Sequence, residues 1–381
     1  MTNDNVGADK QAAPKPVPKP KPKPTPVLAN KLELALSVSN APHLKSKKDT
    51  AKIMRLVAIA LIPALAASVY FHGWRSLVLT AIGAVSAVVF EALTQWLMKK
   101  PITIADGSAI VTGILLAFNL PYNVPFWLPI IGSFVAIAIA KQAFGGLGFN
   151  LFNPALVGRA VLLAAWPVHM TTDWSPLPNL ANISGTTIDA ISSATPLAAM
   201  KASAATIADP TATTAALAQA NEVVGQLTGV GGLSKLALGQ VGGTIGETSA
   251  ILLLLGALFL VIVKVVDWRI PAGYFGTVVV FMSIFGWVGD SWTGLFHLLA
   301  GGLMLGVLFM ATDMVTSPVT KKGRLIFGIG AGLLAAIIRL WGGYPEGVSY
   351  SILLMNAATP LIDRFTVPKF FGAKKKEARD A

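Results

Sequence analysis

The string Asp189-Ala190-Ile191-Ser192-Ser193-Ala194-Thr195 ends on a hydroxyl directly before Pro196. Such a hydroxyl can accept a transferred group only if its neighbours are small and its backbone leaves helix geometry. Ser192, Ser193 and Ala194 meet the first condition. Pro196 meets the second, because proline biases the residue before it toward an extended conformation.

A second set of chemistry-bearing residues lies in or beside apolar runs: Glu91, Arg159, Asp313, Arg339 and the pair Asp363-Arg364. Charges inside a membrane are costly and mark function by default. Arg159 suits a phosphate, a lipid headgroup or a carboxylate, and a structural pairing with Glu91 or a helix C-terminus explains it as well. Asp313, with Thr312, Thr316 and Ser317, offers oxygens of the kind that a hard cation or a polar ring edge requires. A helix-end carboxylate in water is the plainer account. Asn119, Asn150, Asn153 and Asn356 fall where helices are expected to break, and freed backbone groups there need partners. His297 reads as a packing histidine.

These residues must be positioned by membrane helices. Of 381 residues, 54% are hydrophobic and 13% charged, against about 25% charged in an ordinary soluble domain. A spanning helix needs about 20 apolar residues. Spans are expected near 53–72, 76–98, 107–120, 126–142, 154–170, 246–264, 270–289, 292–311, 324–341 and 348–363, about ten in all. The third and fifth are short for full crossings and are expected to be tilted, broken or partly re-entrant. With the N-terminus inside and sides alternating, 25 of the 30 Lys and Arg residues fall in inside segments, Lys141 among them. Both termini are therefore expected in the cytoplasm. The segment 171–245 then lies outside, too polar to span and too long for a bare connector.

That loop divides the chain into five spans and five spans. Pro121 is followed by Gly145-Gly146 and then Asn153-Pro154-Ala155; Pro318 is followed by Gly342-Gly343 and then Asn356-Ala357-Ala358. With an odd number of spans per half, the halves must be inverted relative to each other, and inverted repeats place binding sites at their interface. The expected fold is an all-α integral membrane protein of two inverted five-helix halves. Its parts are a cytoplasmic tail (1–50, Lys-Pro-rich over 15–26), a first half (51–170), an outer loop (171–245), a second half (246–366) and a basic cytoplasmic tail (367–381).

The net charge of +12 sits mainly in the tails and short loops, so it reads as topology and no nucleic-acid partner is expected. The lipid bilayer is the partner that composition implies, and the polar N-terminus does not read as a signal peptide. The chain has no cysteine, hence no cysteine-ligated iron–sulfur cluster. It has no P-loop and no dinucleotide fingerprint. NAD chemistry and iron–sulfur chemistry would therefore belong to other subunits, and no catalytic residue or metal site is assigned here.

The string ending at Thr195 resembles the flavinylation motif Asp-x-x-Ser/Thr-Gly-Ala-Thr, with Ser193 where glycine is usual. Phe149-Asn150-Leu151-Phe152-Asn153-Pro154-Ala155, Met310-Ala311-Thr312-Asp313-Met314-Val315-Thr316-Ser317-Pro318 and Ser39-Asn40-Ala41-Pro42-His43 resemble segments of the RnfD/NqrB family. The resemblance runs from about residue 37 to 366, and length and compact N-terminus look more like RnfD. It implies an FMN joined to Thr195 by a phosphoester, with Asp189, Ser192, Ser193 and Ala194 forming the recognition motif for a flavin transferase. It also implies a noncovalent second flavin, riboflavin, in the bundle, with Arg159, Asn153 and Asp313 as candidates for that flavin or an ion path. The implied setting is the bacterial inner membrane. The implied machine is an ion-translocating ferredoxin:NAD oxidoreductase moving Na⁺ or H⁺, with a second FMN-bearing subunit, iron–sulfur subunits and small membrane subunits. An NqrB-like subunit of a sodium-translocating NADH:quinone oxidoreductase stays open as an alternative. So do a flavin-free inverted-repeat channel or transporter and a structural scaffold, both of which leave Asp189–Thr195 to chance.

Overall fold

The computed structural model describes residues 49–171, 195–286, 293–343 and 346–368. Within them the chain is helical, and the β-type pairing is one isolated bridge between Pro121 and Thr244. The segment carrying Asp189, Ser192, Ser193 and Ala194 lies outside the described residues, as do the two tails.

Helix α1 (Thr50–His72) opens at Asp49, whose carboxylate accepts from Thr50 N at 2.8 Å, an N-terminal cap that also complements the helix dipole. It is followed by α2 (Trp74–Leu97), α3 (Ser108–Phe118) and α4 (Trp127–Gln142), whose last eight residues wind as a π-helix. Helix α5 (Pro154–Ala165) starts from Asn153, whose Oδ1 accepts from Ala155 N and Leu156 N. Pro154 fits the first turn because its missing N–H would have no partner there. Three helices follow: α6 (Pro196–Ala208), α7 (Thr214–Thr228) and α8 (Val230–Leu238). The second part holds α9 (Ala250–Ile262), α10 (Arg269–Phe285), α11 (Thr293–Leu299), α12 (Leu303–Met310), α13 (Lys321–Trp341) and α14 (Val348–Thr366).

Among the described residues, α1, α2 and α13 are long and apolar enough to cross a membrane. Helices α11 and α12 meet that condition as one bent pair, at 68°. The exposed faces of α1, α2 and α13 carry Ile59, Ile62, Val85, Val89, Ile326 and Ile329, side chains that lipid rather than water would solvate.

Two expected spans are interrupted. The span near 154–170 is broken at Trp166, because Pro167 restricts that residue and cannot donate the next helical bond, and a short helix over Pro167–Thr171 follows. The span near 292–311 breaks at Gly301-Gly302, both at positive φ (+72° and +65°), a conformation costly for any residue with a Cβ. The segment 171–245 is not irregular where it is described: α6, α7 and α8 pack with α11 around Leu197, Met200, Val224, Leu233, Leu236 and Phe296.

Packing repeats between the two parts. Helix α2 packs on α3 and α4, and α10 packs on α11 and α13; α1 meets α9, and α5 meets α14. Helices α2 and α3 approach so closely that a Cβ on Gly113 would lie 2.4 Å from Gly83 O.

Candidate functional site

Two places bring the predicted residues to bear, and they lie at opposite ends of the helices.

The first is the start of α6. Thr195 is its N-cap, in extended backbone (φ −58°, ψ 151°), as Pro196 dictates. Its Oγ1 accepts from Ala198 N at 3.2 Å. The residue is buried, at 4% exposed. Leu197, two residues on, packs toward the Gly301 break. A helix N-terminus gathers unsatisfied N–H groups and the positive end of the helix dipole, so an anion joined to Thr195 would meet favourable electrostatics.

The second is a cavity of about 390 Å³ at the end where α1 and α3 begin and α9 ends. Its apolar wall is Met54, Val57, Val111, Leu115, Leu260, Val266 and Phe309. Its polar wall is Ser108, Lys141, Asn150, Asn153, Thr312 and Asp313. The volume falls in the range of small-molecule sites, as does the pattern of apolar walls with a few convergent polar groups. Asn150 Oδ1 is buried with no hydrogen-bond partner, a cost that a ligand donor would remove.

Asn153 and Asp313 therefore line one cavity. Asp313 accepts from Val315 N at 3.3 Å and from Thr316 Oγ1 at 3.1 Å. Asn153 Nδ2 donates to Met310 O, and Asn153 N donates to Asn356 Oδ1, both at 3.2 Å. Asn356 Nδ2 in turn donates to Thr316 O at 3.1 Å. The two asparagines that follow the Gly-Gly pairs thus meet, but only Asn153 stands at a helix start; Asn356, expected at a break, lies inside the continuous helix α14 and reaches across to Asn153 N and Thr316 O.

Arg159 does not join them. It sits farther along α5, where it pairs with Glu346 and donates to Asn119 Oδ1 at 3.3 Å and Ser349 Oγ at 2.6 Å. Its suggested partner Glu91 is taken by Lys141, at 2.6 Å, with both side chains 2% exposed or less. Lys141 also donates to Ser108 Oγ, and Gln142 Nε2 donates to Glu91 Oε1 at 2.8 Å. Lys141 is thus buried in the π-helical end of α4 and is not an inside-loop residue. Sequence reasoning missed this pairing, and no local signal announces it, because the two residues stand fifty positions apart on different helices. His297 is fully buried, as packing predicts.

Residues 37–372 match the model of the NQR2, RnfD, RnfE family. The chain is 49% identical over 350 residues to a subunit of the Na(+)-translocating ferredoxin:NAD(+) oxidoreductase complex of Acetobacterium woodii, covering 91% of this chain and 99% of that protein. It is 46% identical over 342 residues to the corresponding subunit of the proton-translocating ferredoxin:NAD(+) oxidoreductase complex of Clostridium ljungdahlii, covering 89% and 97%. It is 40% identical over 337 residues to the corresponding subunit of the ion-translocating oxidoreductase complex of Stutzerimonas stutzeri, covering 84% and 92%.

Proposed function

The chain belongs to the NQR2, RnfD, RnfE family, and on that premise we propose that it is the flavin-bearing membrane subunit of an ion-translocating ferredoxin:NAD oxidoreductase. The observation that carries the reading is Thr195. It ends the Asp189–Thr195 string, stands outside helix geometry, and caps the 13-residue helix α6. There its hydroxyl would hold FMN through a phosphoester, with the N–H groups of the first turn of α6 facing the phosphate. Asn150, Asn153 and Asp313 would hold the polar edge of a second flavin, riboflavin, while Leu115, Leu260 and Phe309 exclude water from its rings. A flavin supplies electron transfer singly or in pairs, and the protein positions it and tunes its potential.

The reading includes ten crossings in two inverted halves, with both termini cytoplasmic and Thr195 on the outer side of a bacterial inner membrane. The repeated helix pairings and the Asn153–Asn356 contact support it. Iron–sulfur and NAD chemistry fall to partner subunits, beside a second FMN-bearing subunit, and a flavin transferase matures the chain. The transported ion is Na⁺ or H⁺. The names of the relatives favour the ferredoxin-linked assembly over a quinone-reducing one.

The test uses the whole complex in sealed vesicles. Ferredoxin-dependent NAD reduction should drive ion movement in the wild type, and Thr195→Ala should lose both by at least about tenfold, the size of effect that 1.4 kcal/mol represents. Full electron flow in the variant would remove Thr195 from the path.

A further inference from the structure

A buried carboxyl outside both places described above has, among the described residues, no counter-charge in contact with it. Glu247 ends the 3₁₀ turn Ile245–Glu247, which the bridge between Thr244 and Pro121 anchors against the end of α3. Thr244 hydrogen-bonds its carboxyl, yet Oε1 is shut off from solvent and has no hydrogen-bond partner. The charged groups acting on it are Glu346, before α14, Arg159 on α5 and Arg339 on α13. Both arginines direct their terminal nitrogens elsewhere, and neither donates to Glu247; Arg159 Nε and Arg339 Nε have no hydrogen-bond partner. Arg159, 6% exposed, is committed to Glu346, Asn119 and Ser349. Arg339 donates to the carbonyls of His297, Ala300 and Gly301, holding the end of α11 at the helix break.

An ionised carboxylate in this position would give up its hydration and gain no donor at Oε1, whereas the neutral acid loses far less. A Cβ on Gly302 would lie 2.8 Å from Oε1 and one on Gly243 2.6 Å from Oε2, so backbone packs close against the carboxyl.

We propose that Glu247 is a proton-binding site, carrying an exchangeable proton at the junction of α3, α5, α12 and α14. Release breaks the O–H bond of the Glu247 acid and leaves the carboxylate. The proton leaves past Glu346, whose side chain is 15% exposed. The site lies against the Gly301-Gly302 break on which Leu197 also packs, so movement of α6 would alter its surroundings. Proton binding at Glu247 needs no flavin at Thr195, and its failure would leave the flavin reading intact.

The experiment is infrared spectroscopy of the intact complex near neutral pH, in the wild type, Glu247→Gln, Glu247→Asp and Glu346→Gln. The wild type should show a carboxylic-acid C=O band that is missing in Glu247→Gln, displaced in Glu247→Asp and retained in Glu346→Gln. The band should shift on transfer to D₂O, and exchange of K⁺ for Na⁺ should leave it unchanged. An identical acid band in wild type and Glu247→Gln would overturn the assignment. Loss of the wild-type band in Na⁺ would replace the proton with an alkali cation, and no shift in D₂O would exclude exchange.

Discussion

The residues that matter most differ in how they show themselves. Asn153 is legible as a helix start, because Pro154 follows it, whereas Asn356, read as a break, sits inside the continuous helix α14; the structure joins the two through Asn153 N and Asn356 Oδ1. The ion pair Lys141–Glu91 is not legible. Lys141 ends an apolar run and reads as a loop cation, and nothing local says that the helix winds into a π turn there and aims the ammonium inward. Arg159 and Glu346 are 187 positions apart, and no local pattern predicts such a partnership. The buried pair also makes a prediction. Lys141→Met leaves Glu91 buried and uncompensated, a loss of about 3–5 kcal/mol. The double variant Lys141→Met/Glu91→Gln removes both charges and should recover a large part of it. Thermal unfolding of the purified complex in detergent checks this. Equal melting temperatures for the single and double variants would show that the pair does not act as a unit.

Among the elements, sequence reading succeeds where apolar length decides the outcome and fails where a single backbone feature does. Helices α1, α2 and α13 are long apolar runs and fall where expected. The break at Trp166 falls in a span whose shortness already suggests one, whereas the break at Gly301-Gly302 is read through, because hydropathy is blind to a glycine pair at positive φ. The 171–245 segment carries too little periodicity to announce α6, α7 and α8, which form only by covering one another and α11. The interface between α2 and α3 depends on small residues, as helix packing without a hydrophobic driving force requires. Gly113 approaches Gly83 O and Ala84 Cα so closely that its Cβ would lie 2.4 and 2.6 Å from them, with backbone on the far side that cannot turn away. Gly113→Ala should therefore force the helices apart and cost about 1–3 kcal/mol. Gly276→Ala, where a Cβ meets nothing within 4 Å, should be close to neutral and serves as the control. Melting temperatures of the two variants that fall together would mean that α2 and α3 are not in this contact.

At the scale of the whole molecule, the fold sets two candidate sites at opposite ends of the helices and joins its two parts at their breaks. The Asn153 cavity lies where α1 and α3 begin; Thr195 lies where α6 meets the Gly301 break. Such an arrangement suits a subunit that passes electrons between the two faces of a membrane while partners supply the soluble redox chemistry, since the chain has no cysteine to ligate a cluster. Ion coupling would require the two parts to adopt two arrangements of different ion affinity. All of this depends on a flavin joined to Thr195. The direct test is electrophoresis of the denatured chain, produced with an active flavin transferase, viewed under ultraviolet light beside Thr195→Ala. Only a covalent flavin stays with the chain after denaturation. A fluorescent wild-type band and a dark Thr195→Ala band are the predicted result. A dark wild-type band, with the transferase shown to modify a control protein, would contradict the flavin assignment and favour a flavin-free transporter of the same fold.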